Sequence, residues 1–188
     1  MIKLPLELLL KITQSYNSPN RTYHNFKHIS FMFDFAKSFK YILTPEQEFA
    51  ILMHDYIYEP GYKNNEVESA LIAKNFISEY HLDIDDTIVS LCILSTILEI
   101  PLCEEAEIVV DLDLLILSML PSIYDEYLWN VKQEYSNYSE GEWKKGRADF
   151  LLKMISRKQL FYTLKDVEEN AKNNMRKEYN SYHPNTFD

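Results

Sequence analysis

An apolar run, Phe49-Ala50-Ile51-Leu52-Met53, ends abruptly in His54-Asp55, with Tyr56, Tyr58 and Glu59 close behind. Apolar residues in unbroken succession mark a segment in the interior, here a helix approaching its end. The pair at its end is carried inside with it. Imidazole and carboxylate left without partners there are expensive. The fold must therefore bring other groups to meet them, and a divalent metal is one partner that both serve as ordinary ligands.

The bulk properties leave few architectures. A chain of 188 residues fits one domain with a sizeable core. Hydrophobic residues at 46% and aromatics at 14% are too abundant for disorder. Three glycines and seven prolines are too few for the many tight turns of a sandwich or barrel. A net charge of −10 opposes a broad nucleic-acid or anionic-membrane surface, while leaving room for a small nucleotide held by a local Arg and Lys cluster. Cys92 and Cys103 are too few for a disulfide framework and read as buried thiols of a reducing cytosol. The apolar N-terminus is broken by Glu7 and lacks a cleavage site, which argues against a signal peptide. The longest uncharged stretch, Thr87 to Leu98, falls short of the ~18 residues of a membrane span. A soluble, cytoplasmic protein is expected.

Helical periodicity runs through the chain. Leu4 to Tyr16 reads as a first helix, and Asn25 caps a second with Phe26, Ile29, Phe33 and Ala36 on one face. Thr44-Pro45-Glu46-Gln47 combines capping-box spacing with proline at the first helical position, and this third helix runs into His54-Asp55. Glu59 to Asn65 is a loop by composition. A helix from Asn65 to Tyr80 follows, with Val67, Ala70, Leu71, Ala73 and Ile77 as its inner face. Caps at Asp83 to Asp86 precede Thr87–Leu98, apolar almost all round and therefore central. Further helices are expected over 104–118, 121–135, 139–157 and 165–179. The expectation is an all-α domain of eight or nine helices over residues 1–180, with a flexible tail at 181–188.

His28, His54-Asp55 and Asp113 each sit in an otherwise apolar helix. Taken singly, each reads as a hydrogen-bonded core residue. Together they supply two nitrogens and two oxygens, a set suited to Mn²⁺, Fe²⁺, Ni²⁺ or Zn²⁺ with positions open to water and substrate.

This order, His…His-Asp…Asp on an all-α chain, resembles the HD superfamily of metal-dependent phosphohydrolases, and more closely a family of small bacterial HD hydrolases. The matching stretches are Arg21-Thr-Tyr-His24-Asn-Phe-Lys-His28, His54-Asp55-Tyr-Ile-Tyr58-Glu59-Pro, Asn65-Glu66-Val-Glu-Ser69-Ala and Asp111-Leu-Asp113-Leu. Tyr124-x-x-Tyr127, Glu134-Tyr135, Gly146-Arg147 and Arg157 continue them in order.

The resemblance implies an HD-type domain with His28, His54, Asp55 and Asp113 as metal ligands, and His24 and Asp111 close by. It implies one divalent transition metal, with Mg²⁺ also possible. Dinuclear relatives carry two more histidines between His-Asp and the last Asp, where this chain has only His81. The expected reaction is hydrolysis of a small phosphorylated metabolite, with a nucleotide preferred, by metal-activated water. Glu59 and Glu66 are candidates for the base beside that water, acting with Asp55. Arg21, His24, Tyr58, Lys63, Arg147 and Arg157 are candidates to hold the substrate, since phosphate in an acidic protein needs cationic clamps. Two positions depart from the family pattern: Glu99 stands where its Thr-x-x-His motif has histidine, and Lys132 where it has arginine. Glu99 supports an alternative, a degenerate module that binds a nucleotide or protein partner without turnover.

Overall fold

A computed structural model describes residues 2–183, and among them every regular element is helical. The α-helices are α1 (Leu6–Tyr16), α2 (Phe26–Ser38), α3 (Pro45–Met53), α4 (Asn65–Glu79), α5 (Asp86–Leu98), α6 (Ala106–Leu114), α7 (Pro121–Glu134), α8 (Glu140–Ile155) and α9 (Glu168–Tyr182). Short 3-10 turns follow α6 (Leu115–Ser118) and precede α9 (Lys165–Val167). The expected all-α architecture is what forms. The last helix continues to Tyr182, two residues into the stretch read as a tail; residues 184–188 lie outside the described residues.

Local chemistry sets the helix starts. Thr44 and Gln47 form the expected capping box on α3, and Ser139 and Glu142 form another on α8. The Asn25 side chain accepts from the Lys27 amide at the start of α2. Asp85 does the same for α5, accepting from the amides of Thr87 and Ile88. The apolar α5 lies against α3, α4 and α6, as its composition requires. Helices α2, α3 and α6 meet one another beside it, which brings the three segments carrying His28, His54-Asp55 and Asp113 into one place. Among the described residues, no helix is long and apolar enough to cross a membrane.

Two expectations need correction. The inner face of α4 is not the one its apolar residues suggest: Val67 and Leu71 are exposed, while Asn65 and Ser69 are buried with Ala70, Ala73, Phe76 and Ile77. The cause is polar. Asn65 exchanges two hydrogen bonds with the backbone of Glu59, and the Ser69 hydroxyl accepts from the Ile57 amide at 2.9 Å. These bonds tie the connection after His54-Asp55 to α4, and they rotate the helix to bury its short polar side chains.

Asp111 is the second. It lies two residues from Asp113 on α6, which sends its side chain to another face of the helix. There its fully buried carboxylate accepts from the amides of Tyr162, Thr163 and Leu164 and from the Thr163 hydroxyl. It anchors the segment leading to α9 and does not join the site. Asp111→Ala strands all of those donors, and should cost about 3 kcal/mol, lowering the melting temperature by roughly 6–12 °C. Thermal denaturation followed by circular dichroism checks this; an unchanged transition would contradict the anchoring role.

Candidate metal centre

His28 projects from the first turn of α2, His54 ends α3 with Asp55 next to it, and Asp113 lies near the end of α6. His28, His54 and Asp55 are buried and their ligand atoms lie within 4.8 Å of one another, a group that can hold a metal ion. Asp113 approaches the same point, its Oδ1 3.1 Å from His28 Nε2 and 3.8 Å from His54 Nε2. His28 Nε2 is 3.2 Å from His54 Nε2 and 4.0 Å from Asp55 Oδ2, and His54 Nε2 is 3.1 Å from Asp55 Oδ2. Donor atoms arranged tetrahedrally ~2 Å from a common ion stand roughly 3.4 Å apart. The observed separations bracket that value.

Proton positions make a cation the natural centre of this group. The Ile51 carbonyl, 2.9 Å from His54 Nδ1, can only accept, so Nδ1 carries the hydrogen. Neutral His54 then turns a lone pair on Nε2 toward the other three side chains, the tautomer a metal requires. Among the described residues, the buried polar side-chain atoms without a hydrogen-bond partner are Tyr23 Oη, His28 Nδ1 and Asp55 Oδ2. All three belong to this cluster or pack against it. Electron-rich atoms this close demand positive charge between them, from a proton or a metal. Burial alone would push His54 down, but Asp55 and, further off, Asp113 overcome it and raise the imidazole to about 9. Burial likewise works against the Asp55 carboxylate, which His54, His24 and His28 hold well below its ordinary range.

Around the cluster stands a carboxylate that the sequence reading quoted without a role. Glu134, at the end of α7, accepts from the backbone amides of Tyr23 and His24 through Oε1. Its Oε2 takes His24 Nδ1 at 2.6 Å and the Tyr58 hydroxyl at 2.8 Å. The His24 ring stacks on Tyr58 at 4.1 Å. Burial would lower His24, but Asp55 and Glu134 raise it; burial would raise Glu134, but the His24 bond lowers it. A signal for Glu134 was present: Tyr124, Tyr127, Val131 and Glu134 are all buried, at helical spacing on one face of α7.

Beside this cluster lies a cavity of about 600 Å³, reached by Asp113, His24, Tyr58 and Glu66. Rings from Tyr127, Tyr135, Tyr138, Trp143 and Phe150 line much of the remainder. Gly61 also lines it, with φ of +81°, and a Cβ there would stand 2.0 Å from the Tyr138 hydroxyl. Glycine therefore lets the 59–63 loop close against α7 and its extension.

The other expected substrate and catalytic residues divide. Glu66 lines the cavity from the first turn of α4, its carboxyl pushed up by burial. Glu59 and Lys63 are exposed and do not line it. Arg21 is buried and spends its guanidinium on backbone, donating to the carbonyls of Asp55 at 2.6 Å, Tyr56 at 2.9 Å and His24 at 3.3 Å. It sets the chain after α3 in position, with both terminal nitrogens committed to carbonyls. Arg147 reaches the cavity, but its Nε and Nη2 bind Glu178 at 2.8 and 3.0 Å and its Nη1 the Tyr127 hydroxyl at 2.9 Å. Arg157 is held by the Glu99 carboxylate and by the carbonyls of Leu98 and Glu99. Arginine announces a need for acceptors; in each case the fold supplies them internally.

No family model, curated protein or solved structure matches the chain.

With its Nδ1 hydrogen committed to Ile51, His54 must shed its second proton to ligate a cation. Below about pH 9, where the imidazole is protonated, binding expels that proton. Affinity for Mn²⁺ should therefore rise with pH up to that value, approaching a tenfold gain per unit for ~1 proton released, then level off. Calorimetry near pH 7 in buffers of different ionisation enthalpy measures the release; affinity independent of pH would contradict it.

Proposed function

We propose that this protein is a metal-dependent phosphohydrolase of the HD type, acting on a small phosphorylated metabolite, a nucleotide by preference. The observation that carries the reading is the convergence of His28, His54 and Asp55 with Asp113, the last of which also reaches the cavity. These four would hold one divalent ion: Mn²⁺, Fe²⁺, Ni²⁺ or Zn²⁺ by ligand chemistry, with Mg²⁺ admissible. A bound ion of this kind supplies Lewis acidity, acidifying water and polarising a phosphoryl oxygen.

The remaining work falls to the chain. Glu134 holds His24 Nδ1, which fixes the ring where it lines the cavity, and although burial opposes it, Asp55 and Glu134 favour the positively charged form of the imidazole. That charge suits a phosphoryl oxygen or a departing ester oxygen. Glu66, which lines the same cavity and whose carboxyl burial pushes up, would take a proton from water. In the overall step water oxygen bonds to phosphorus and the ester P–O bond breaks. One water proton passes to Glu66, and the leaving oxygen receives a proton from His24.

One observation favours the alternative, a module that binds without turnover. Glu99 occupies the family's histidine position, and its carboxylate is held by Lys153 at 2.6 Å and Arg157 at 2.9 Å. It would serve neither as ligand nor as base while so engaged.

Mn²⁺-loaded protein assayed on nucleotides and phosphomonoesters separates the two. Hydrolysis is expected to fall by roughly three orders of magnitude or more in His54→Ala and Asp55→Ala, with helical content retained. Tight nucleotide binding with no phosphate release from the unmodified protein would overturn the hydrolase reading in favour of the module.

A further inference from the structure

We propose that the cavity selects a phosphate monoester carrying a planar ring, and discriminates against di- and triphosphates. This substrate class rests on the phosphohydrolase reading and goes beyond it. Two independent features of the cavity support it.

The first is charge. Of the four carboxylates that line the cavity, Glu99 is paired with Lys153 and Arg157, which leaves Glu66, Asp113 and Glu142 against one lining guanidinium, Arg147. That guanidinium is already neutralised by Glu178, which it meets through two of its nitrogens. Arg21 and Arg157, the other candidates for a phosphate, are turned to backbone carbonyls and to Glu99. Positive charge for a ligand therefore comes from one end only, where the ion-binding group and His24 lie. One phosphoryl group can be neutralised there. Each further phosphate would have to extend into a cavity whose one lining guanidinium is already paired with Glu178 and whose wall also carries the carboxylates of Glu66 and Glu142.

The second is shape. Eight of the residues lining the cavity are Tyr, Trp or Phe. Several of these rings are held in place by their own contacts: Tyr135 packs on Trp143 with centroids 5.5 Å apart, and Tyr58 is fixed by Glu134. A volume of about 600 Å³ accommodates a nucleoside with one phosphate. Preformed rings beside a single anionic anchor fit a flat base better than a sugar or polyol phosphate, because stacking loses little conformational freedom.

The test uses full-length, Mn²⁺-loaded protein and a matched series: adenosine 5′-mono-, di- and triphosphate, and ribose 5-phosphate, which lacks the base. Affinity is read by calorimetry on ice-cold protein with turnover followed separately as phosphate release. The monophosphate should bind tightest, with a loss of about tenfold for each added phosphate and about tenfold or more on removing the base. Glu66→Gln should narrow the gap between mono- and triphosphate, through a gain in triphosphate affinity. A triphosphate that binds as well as the monophosphate overturns the inference, even if it is hydrolysed and the phosphohydrolase reading stands. Ribose 5-phosphate matching the monophosphate overturns the role of the rings. Selective monophosphate binding without hydrolysis supports the selection while removing the hydrolase, so the two ideas fail separately.

Discussion

One hydrogen bond, from His54 Nδ1 to the carbonyl of Ile51 one turn earlier, governs the character of the site. It fixes which nitrogen keeps its hydrogen when the ring is neutral and turns the other toward His28, Asp55 and Asp113. The bond is local to the end of α3, so it costs nothing in long-range organisation. Its consequence is long-range. Three further side chains, drawn from α2, α3's end and α6, surround a lone pair that must be met by positive charge. Burial makes this demand severe, since the low-dielectric interior magnifies both the repulsion without a cation and the attraction with one.

The surroundings are built to keep that group rigid. Arg21 grips the carbonyls of Asp55 and Tyr56, so the backbone leaving α3 cannot drift. Asn65 and Ser69 hold the next few residues against α4. Glu134 reaches across from α7 to fix Tyr23, His24 and Tyr58 together. Charged side chains buried this way contribute little net stability on their own, yet removing one partner leaves the other stranded. Their effect is positional: they hold the ligating atoms and the cavity wall in register.

The fold was legible where its cause is local. The Thr44 and Ser139 capping boxes, the Asp85 cap and the apolar α5 each carry their instruction within a few residues. The convergence of His28, His54, Asp55 and Asp113 was legible for a different reason: a histidine or aspartate within apolar sequence has to find company. What could not be read were the outcomes of competition between partners. Asn65 and Ser69 displaced Val67 and Leu71 from the inner face of α4, because loop carbonyls and amides needed them. Arg21 and Arg147 looked like phosphate clamps, but nothing local to them specifies that Asp55's backbone and Glu178, distant in sequence, would take their donors first. The two-residue spacing already turns Asp111 away from Asp113 on α6, but nothing local to it specifies that the amides of residues 162–164 would take its carboxylate.

The central claim is that His28, His54 and Asp55, with Asp113, surround a divalent ion. X-ray absorption on protein purified without added metal tests it most directly, since the fine structure reports imidazole ligands by their multiple scattering. The account predicts a single transition metal per chain with two imidazoles and carboxylate oxygens, and loss of that signal in His28→Ala and His54→Ala. A folded protein that carries no metal and takes up none, or a metal whose surroundings are unchanged by both substitutions, would contradict it.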